Sequence, residues 1–391
     1  KNKGEALLIA NDYRRFNYTP YAYRTKDYGT TWSRIVDEND VKSYTLSIVE
    51  DPMNANLLFL GTDDGLYISL NAGNQWMKWT AGFPTVSTKD LVIQPREHDL
   101  VIGTFGRAAW VLDDIRPLRA MANGNVLTKT LQLFAPPTAY QAAYQQPTGS
   151  RFGGDALFNG ENKRSGAMIS YYINRPAAAK EEKKEKETAR KKKRKGTKKM
   201  EAPIVKKELA SEVKFDSIKL EIFEGARLIR TLHQKAPKEN GIHRMYWSMN
   251  EKGADRPSRK IRKRTYEPRG VSVKPGSYNL KMSFGNQTSE SSIKVEFDPR
   301  LEMSTEAITE IYNASKDMEK DQQLMADVVK QLVESKNTAT AFKKDLTKED
   351  KKNYKDQIKA SKDIITKIDK LIAIYIGSVD KRQGITRNPE V

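Results

Sequence analysis

Cysteine is absent from the 391-residue chain, which excludes disulfides, thiolate metal sites and cysteine nucleophiles. Histidine is scarce as well: its three copies are scattered along the chain, so a histidine metal cluster is not expected. Apolar runs are short, and none approaches the roughly 18 residues of a transmembrane helix. Nucleophile-elbow and phosphate-loop motifs are also missing. We therefore expect no catalytic residue, no metal site and no cofactor.

The formal net charge of +19 is concentrated in the middle of the chain. Residues 1–118 carry a net −2, whereas residues 178–215 and 216–300 carry a net +8 each. Such a distribution is compatible with a nucleic-acid binder, with a protein that lies against an anionic surface, or with a solvated lysine-rich insert. Charge alone does not choose among them.

The first 118 residues repeat a set of short apolar strands separated by Gly, Asp and Asn turns. Gly61 and Gly103 occupy equivalent positions 42 residues apart, and Pro52 and Pro95 are 43 residues apart. A period of roughly 40–50 residues with several strands in each unit is typical of β-propeller blades. The repeat therefore predicts blades over residues 1–118.

A second repeat marks two turns, which share the form S/T-x-D/N-x-G-x-x-W. We call residues 25–32 the first turn repeat and residues 69–76 the second; their spacing is 44 residues. In such a turn Asp or Asn bonds backbone amides, Gly adopts a positive φ, and Trp fills a gap between blades. The predicted structural residues are Asp27, Gly29, Trp32, Asn71, Gly73 and Trp76.

These turns resemble the Asp-box, or BNR repeat, of sialidase-like and sortilin-like propellers. With the segments Gly61–Trp76 and Pro95–Arg119, they make residues 5–118 similar to the closing blades of sortilin-like propeller proteins of Bacteroidota type. The resemblance implies that residues 1–118 hold only the last blades. Since propellers need about four to eight blades, an upstream segment or another chain is expected to supply the others.

We predict an irregular connector over residues 119–165 and an immunoglobulin-like β-sandwich over residues 166–300. The sandwich region alternates apolar and polar residues, and its segment Gly241–Tyr278 is similar to FlgD-like immunoglobulin-type domains. Two insertions interrupt the sandwich, a Lys/Glu-rich one at residues 177–214 and a basic one at residues 252–269.

Residues 301–377 are predicted to form an antiparallel helical hairpin, followed by a polar tail at residues 378–391. Apolar residues recur at helical spacing over residues 308–333 and again over residues 354–375. About ten polar residues are expected to join the two helices.

Both helices have predicted N-terminal caps. Ser304 or Thr305 is expected to cap the first helix. Thr347 with Asp350 resembles a capping box and is expected to start the second.

Because Asp-box propellers include glycoside hydrolases, paired carboxylates need consideration. Glycoside hydrolysis uses two carboxylates about 5–10 Å apart. The candidates are Asp63, Asp64, Asp113 and Asp114. We interpret both pairs as turn residues, since Asp-Asp-Gly is a hairpin signal and the second pair can cap a turn or bind Arg107. His98 is likewise interpreted as an exposed turn residue.

The cationic segments are the other candidates for a binding role. The run at residues 190–199 lacks interleaved aromatic residues, so base stacking is not indicated and solvated charge is the default. The insertion at residues 252–269 holds eight Lys or Arg against two acids. Its predicted contacts to an anionic partner are Arg256, Arg259, Lys260, Arg262, Lys263 and Arg264.

The expected architecture is mainly β: the last blades of a propeller, an immunoglobulin-like sandwich and a C-terminal helical hairpin. The resemblance implies a non-catalytic binding or scaffold protein of the bacterial envelope or cell surface. Its expected partners are envelope or surface proteins of a larger assembly, reached through protein or glycan contacts. The alternative is a sialidase- or glucanase-like hydrolase whose active site lies in blades outside this chain; nucleic acid is disfavoured as a partner.

Overall fold

The computed structural model describes residues 2–142, 163–175, 215–261 and 266–377. These residues form a mainly β protein with a C-terminal pair of helices, as the sequence predicts. The predicted Lys/Glu-rich insertion, part of the predicted connector and the predicted polar tail lie outside the described residues.

Three antiparallel sheets follow one another over residues 6–112, and in each the strands pair in chain order. Sheet 1 contains β1 (Ala6–Asp12), β2 (Asn17–Thr25) and β3 (Ser33–Arg34). Sheet 2 contains β4 (Thr45–Glu50), β5 (Leu58–Thr62), β6 (Gly65–Ser69) and β7 (Met77–Lys78). Sheet 3 contains β8 (Thr88–Gln94), β9 (Asp99–Thr104) and β10 (Ala109–Leu112).

Sheet 2 lies between the other two sheets. Leu58 and Leu60 belong to a core shared with sheet 1, whereas Leu57 and Phe59 belong to a core shared with sheet 3. Successive side chains of a strand point to opposite faces, so β5 supplies both cores, and all five of its residues are buried. Burial of each leucine side chain contributes about 1.5–3 kcal/mol.

A short helix, α1 (Arg116–Ala122), follows sheet 3 and closes the second of these cores. Pro117 stands in its first turn, where the missing N–H costs no helical hydrogen bond. Ile115 and Leu118 are buried against sheets 2 and 3.

Two further sheets share one core and form the sandwich region. Sheet 4 contains β11 (Leu131–Leu133), β13 (Ala167–Ile173) and β16 (Gly241–Trp247). Sheet 5 contains β12 (Ala139–Gln141), β14 (Ser217–Glu224), β15 (Arg227–Lys235), β19 (Gly276–Phe284) and β20 (Gln287–Phe297). A small ribbon pairs β17 (Asn250–Lys252) with β18 (Arg269–Ser272). Side chains of sheets 4 and 5, among them Tyr171, Trp247 and Phe284, form a single buried cluster.

The structure differs from the predicted connector at residues 131–141. There β11 pairs with β13, and β12 pairs in parallel with β20, so this segment belongs to the sandwich sheets. Each of these strands has three residues, too few to show an alternating pattern, and Pro136 and Pro137 lie between them.

The C-terminal helices are α2 (Thr305–Glu349) and α3 (Lys355–Ile376). At 45 residues, α2 is about 68 Å long. The Ser304 side chain accepts a hydrogen bond from the Ala307 N–H, which confirms the predicted first cap. The two helices pack through a core of Val329, Val333, Ile368 and Ile372.

The predicted start of the second helix was wrong. Thr347 lies in the last turn of α2, where its hydroxyl donates to the Lys343 carbonyl at 2.6 Å. Asp350 instead organises the short turn that follows, accepting from the Lys352 and Asn353 N–H groups. A Thr-x-x-Asp pattern is compatible with either a helix N-cap or a turn. The residues before Thr347 have high helix propensity, so α2 continues to Glu349, directly before Asp350.

A buried carboxylate joins α2 to the sandwich region. Glu251 accepts hydrogen bonds from Arg227 at 2.8 Å and from the Tyr312 hydroxyl at 2.5 Å, and it pairs with Lys316 of α2. Burial opposes the charged form of Glu251, but these donors outweigh it and hold its pKa at about 2. The carboxylate is therefore charged at neutral pH and fixes α2 on the sandwich.

Candidate interaction surface

Turns from sheets 1, 2 and 3 come together at one end of the stack. The Asn11 amide donates to the Thr45 carbonyl at 3.1 Å, which places the end of β1 beside the start of β4. Thr45 also pairs with Thr62, the last residue of β5, and Thr88 at the start of β8 pairs with Thr104 at the end of β9. We call the residues of these turns, 13–18, 63–64 and 105–107, the turn-end surface.

Aromatic side chains dominate the turn of sheet 1. The Tyr13 ring stacks on Tyr44 with centroids 4.9 Å apart, and Tyr18 lies against Tyr44 at 6.0 Å. Phe16 sits at the tip with a φ of 62°, and its side chain is 84% exposed. A bulky residue in left-handed backbone is uncommon, and here that conformation points an apolar ring into solvent.

Cations stand beside these rings. The Arg14 guanidinium lies 6.0 Å from the Tyr13 ring, and the Lys89 ammonium lies 5.8 Å from the exposed ring of Phe105 in the turn of sheet 3. Exposed cation–π pairs contribute about 0.5–1 kcal/mol each, so they orient the side chains but do not anchor them.

The turn of sheet 2 contains two carboxylates, those of Asp63 and Asp64, and both have hydrogen-bond partners. Burial, together with a hydrogen bond to Asp63, raises the pKa of Tyr44 to about 12, so the Tyr44 hydroxyl is a fixed donor. Asp64 accepts from the Thr62 hydroxyl at 2.8 Å and pairs with Lys78 at 2.7 Å. This pair fits the interpretation of Asp63 and Asp64 as turn residues.

The second candidate pair is held in a different place. Asp114 is buried and accepts from the Arg116 side chain at 2.6 Å, while the Asp113 carbonyl accepts from Arg244 of sheet 4. The Asp113 carbonyl therefore links sheet 3 to the sandwich region, and Asp113 and Asp114 follow β10 at the end of the stack opposite Asp63.

The first turn repeat is closed by the Asp27 carboxylate. It accepts from the Thr31 N–H at 2.8 Å, from the Thr31 hydroxyl at 2.6 Å and from the Thr25 hydroxyl at 2.8 Å. Gly29 has a φ of 87° and donates its N–H to Thr25. Trp32, which ends the turn, is 41% exposed.

The second turn repeat has the same internal geometry. The Asn71 amide oxygen accepts from the Gln75 N–H at 2.9 Å and from the Ser69 hydroxyl at 3.0 Å, and Gly73 has a φ of 92°. Trp76 is only 5% exposed, and its indole N–H donates to the Ile35 carbonyl at 2.7 Å. Both turn repeats lie at the end of the stack opposite the turn-end surface, because β2 and β6 run from one end to the other.

The basic insertion contacts the helical pair. The Asp255 N–H donates to Gln323 of α2 at 2.8 Å, and Arg259 donates to the carbonyl of Gly377 at the end of α3. Arg256, Arg259 and Lys260 are exposed. The predicted contacts Arg262, Lys263 and Arg264 lie outside the described residues.

Sequence reasoning missed one buried ionic cluster. Arg119 of α1 donates two hydrogen bonds to the fully buried Asp51, at 2.8 and 2.6 Å, and a third to Nδ1 of His98 at 2.9 Å. Arginine only donates, so His98 is neutral with its proton on Nε2; burial and the Arg119 charge lower its pKa. His98 is thus a turn residue but not a freely exposed one. The signal was contained in Asp51-Pro52, at the start of one repeat unit, and in the Pro95–Arg119 stretch.

Among residues 2–142, 163–175, 215–261 and 266–377, no group of three or more His, Asp or Glu side chains is arranged to hold a metal ion. No helix of this part of the chain has the length and hydropathy needed to cross a membrane. No protein-family model matches the chain, and no curated protein matches it.

Proposed function

We propose that this chain is the C-terminal part of a sortilin-like Asp-box propeller protein that acts as a non-catalytic binding or scaffold protein of the bacterial envelope or cell surface. The turn-end surface supports this role: it exposes Tyr13, Phe16, Tyr18 and Phe105 at one end of three sheets, with Arg14 beside Tyr13 and Lys89 beside Phe105. Aromatic residues and arginine are the side chains that dominate protein interfaces.

Sheets 1 to 3 are, in this proposal, the last blades of the propeller. The stacking of sheet 2 between its neighbours and the two internally bonded turn repeats support it. Sheets 4 and 5 are the immunoglobulin-like sandwich, which their shared core supports. The proposed location is the periplasm, the outer membrane or the cell surface, and the proposed partners are envelope or surface proteins.

The alternative, a sialidase- or glucanase-like hydrolase, gains no support from the described carboxylates. Asp64 is bound to Lys78 and Asp114 to Arg116, so neither candidate pair offers two free groups for acid–base work. Turnover of a sialoside or β-glucan by the purified protein would replace the scaffold proposal with this one.

The binding role can be tested by site-specific cross-linking, since the chain has no native cysteine. Phe16→Cys and Met53→Cys would each carry a benzophenone maleimide. Met53 is a matched control: its side chain is 74% exposed, against 84% for Phe16, but it lies on the loop between β4 and β5, at the opposite end of the stack. We expect Phe16→Cys to cross-link to defined envelope proteins in intact cells and Met53→Cys not to do so. Equal or absent cross-linking from both positions would contradict the proposal.

The basic insertion is a second proposed contact, to an anionic partner. Arg256→Glu with Lys260→Glu should reduce recovery of the cross-linked partner and weaken its dependence on salt. Arg259 is left unchanged in this variant because it bonds to Gly377 and supports the fold. Unchanged partner recovery would remove the insertion from the proposal.

A further inference from the structure

A groove runs between α2 and α3 on one face of the helical pair. Small side chains line much of it: Ser335, Thr338 and Ala339 on the α2 side, and Ala360 and Ser361 on the α3 side. The groove has a volume of about 840 Å³ and is open to solvent. Small residues between two helices leave space into which the side chains of another helix can pack.

Large apolar side chains border this groove and are exposed. Phe342 on α2 is 54% exposed, and Ile364 on α3 is 51% exposed. Leu371 follows Ile364 by seven residues, so it lies on the same side of α3, and it is 45% exposed. We call this side of the helical pair, with Phe342, Ile364 and Leu371 around the groove, the groove face. An exposed apolar face of this kind is typical of an interaction surface.

The two sides of the groove carry opposite charges. Glu334 lines the α2 side. On α3, Lys367 lies three residues after Ile364 and four before Leu371, so it belongs to the same side of the helix. Both charged side chains are exposed, and among the described residues neither forms an ion pair. The groove face therefore has an acidic side on α2 and a basic side on α3.

This charge pattern makes the groove face complementary to itself. Two copies related by a two-fold axis present the same face to each other. With α2 over α2 of the second copy, the two Glu334 side chains would lie on the same side of the interface. With α2 over α3 of the second copy, Glu334 of each copy approaches Lys367 of the other. Farther from the groove on α3, Asp363 and Lys370 offset each other. Because like charges are disfavoured at an interface, the second arrangement is selected.

The groove face is accessible and large enough for a stable dimer. The bonds from α2 to the sandwich region involve Tyr312, Lys316 and Gln323, whereas the groove begins at Gln331. α3 has 22 residues and is about 33 Å long. Two helices side by side are about 20 Å wide, so the face covers about 650 Å² on each copy and about 1,300 Å² in a dimer. Specific protein interfaces bury about 1,200–2,000 Å² in total.

We propose that the groove face binds the same face of a second copy of this chain, so that two helical pairs form a four-helix bundle in a two-fold dimer. α2 of each copy lies over α3 of the other, Phe342 and Ile364 pack in the apolar centre, and Glu334 pairs with Lys367 across the interface. The turn-end surface lies on sheets 1 to 3 and not on these helices, so the inference does not depend on the proposed binding role.

Sedimentation equilibrium of residues 1–391 over a range of protein concentrations tests the proposal. We expect a reversible monomer–dimer equilibrium. Phe342→Glu places a charge in the apolar centre and should raise the dissociation constant of the dimer at least about tenfold. Met318→Glu is the matched control, because Met318 is on the same helix and 74% exposed but lies before the groove, so the dissociation constant should stay unchanged. Far-UV circular dichroism checks that both variants keep their helices.

A charge exchange tests how the two copies are arranged. Glu334→Lys and Lys367→Glu should each raise the dissociation constant about threefold or more, since each brings like charges together across the interface. The double variant should restore the wild-type value, because the charges are then exchanged and again opposite. Both residues are exposed, so we expect neither substitution to impair folding.

Three results would overturn the proposal. The first is a wild-type protein that stays monomeric at every concentration, and the second is a dimer that Phe342→Glu and Met318→Glu leave equally stable. The third is a pair of single charge variants that weaken the dimer without restoration by the double variant, which would exclude the packing of α2 over α3. If the protein is monomeric and Phe342→Cys with a benzophenone maleimide cross-links to a different polypeptide, the groove face belongs to that partner and not to a second copy.

Discussion

The two turn repeats make the same internal hydrogen bonds but end on tryptophans in different surroundings. In each, the residue at the Asp/Asn position accepts from the backbone N–H four residues later, and Gly adopts a left-handed φ. Trp76 is 5% exposed and bonded to the segment after sheet 1, whereas Trp32 is 41% exposed. Local sequence therefore determines the turn, while the burial of its tryptophan depends on the segment that packs over it.

The largest expected effect comes from Trp76→Ala, which should lower the free energy of unfolding by about 3–5 kcal/mol. The substitution empties a buried site and leaves the Ile35 carbonyl without its indole donor, whereas the Asp40 carboxylate keeps its bond to the backbone N–H of residue 76. Trp32→Ala is the matched control and should cost clearly less in residues 1–391. Urea unfolding followed by far-UV circular dichroism measures the free energy of unfolding of both variants. Equal losses of stability would contradict a difference in burial between the two tryptophans.

The sequence predicted local features well where they depend on short patterns. The turn geometry around Asp27 and Asn71, the mainly β class and the helical pair with its Ser304 cap were all visible in spacing and residue type. Features that depend on contacts between residues far apart in sequence were not predicted. The Asp51–Arg119 bonds connect residues 68 positions apart, and the pairing of β12 with β20 is longer still in sequence. No local pattern encodes such contacts, because they arise only when the sheets pack.

A smaller effect is expected from alanine at the two turn glycines. Both Gly29 and Gly73 have positive φ, so Gly→Ala at either should cost about 1–3 kcal/mol in backbone strain. At Gly73 the new Cβ would also lie 3.1 Å from the Ile35 Cβ, whereas at Gly29 the nearest atoms belong to Trp32 at 3.8 Å. Gly73→Ala should therefore be the more destabilising variant.

Thermal unfolding of both glycine variants measures this difference. A larger loss of stability for Gly29→Ala than for Gly73→Ala would show that Trp32 packs more closely on the first turn repeat than Ile35 packs on the second.

The smallest effect expected is a pH dependence confined to the first turn repeat. Hydrogen bonds from the Thr31 hydroxyl, the Thr31 N–H and the Thr25 hydroxyl hold the pKa of Asp27 at about 2, below its ordinary value of 3.8. A depressed folded-state pKa means that the carboxylate stabilises the fold above the unfolded pKa and that this contribution is lost as pH falls towards 2. The difference in melting temperature between the wild type and Asp27→Asn should thus be small but constant from pH 5 to 7, and should shrink between about pH 4 and 2.

Asn71 does not titrate, so Asn71→Asp should introduce the same acid-sensitive window into the second turn repeat. If the Asp27→Asn difference does not shrink as the pH falls to 2, the charge on Asp27 is not what closes the turn. If there is no difference from pH 5 to 7, an amide such as that of Asn71 closes the turn as well as a carboxylate does.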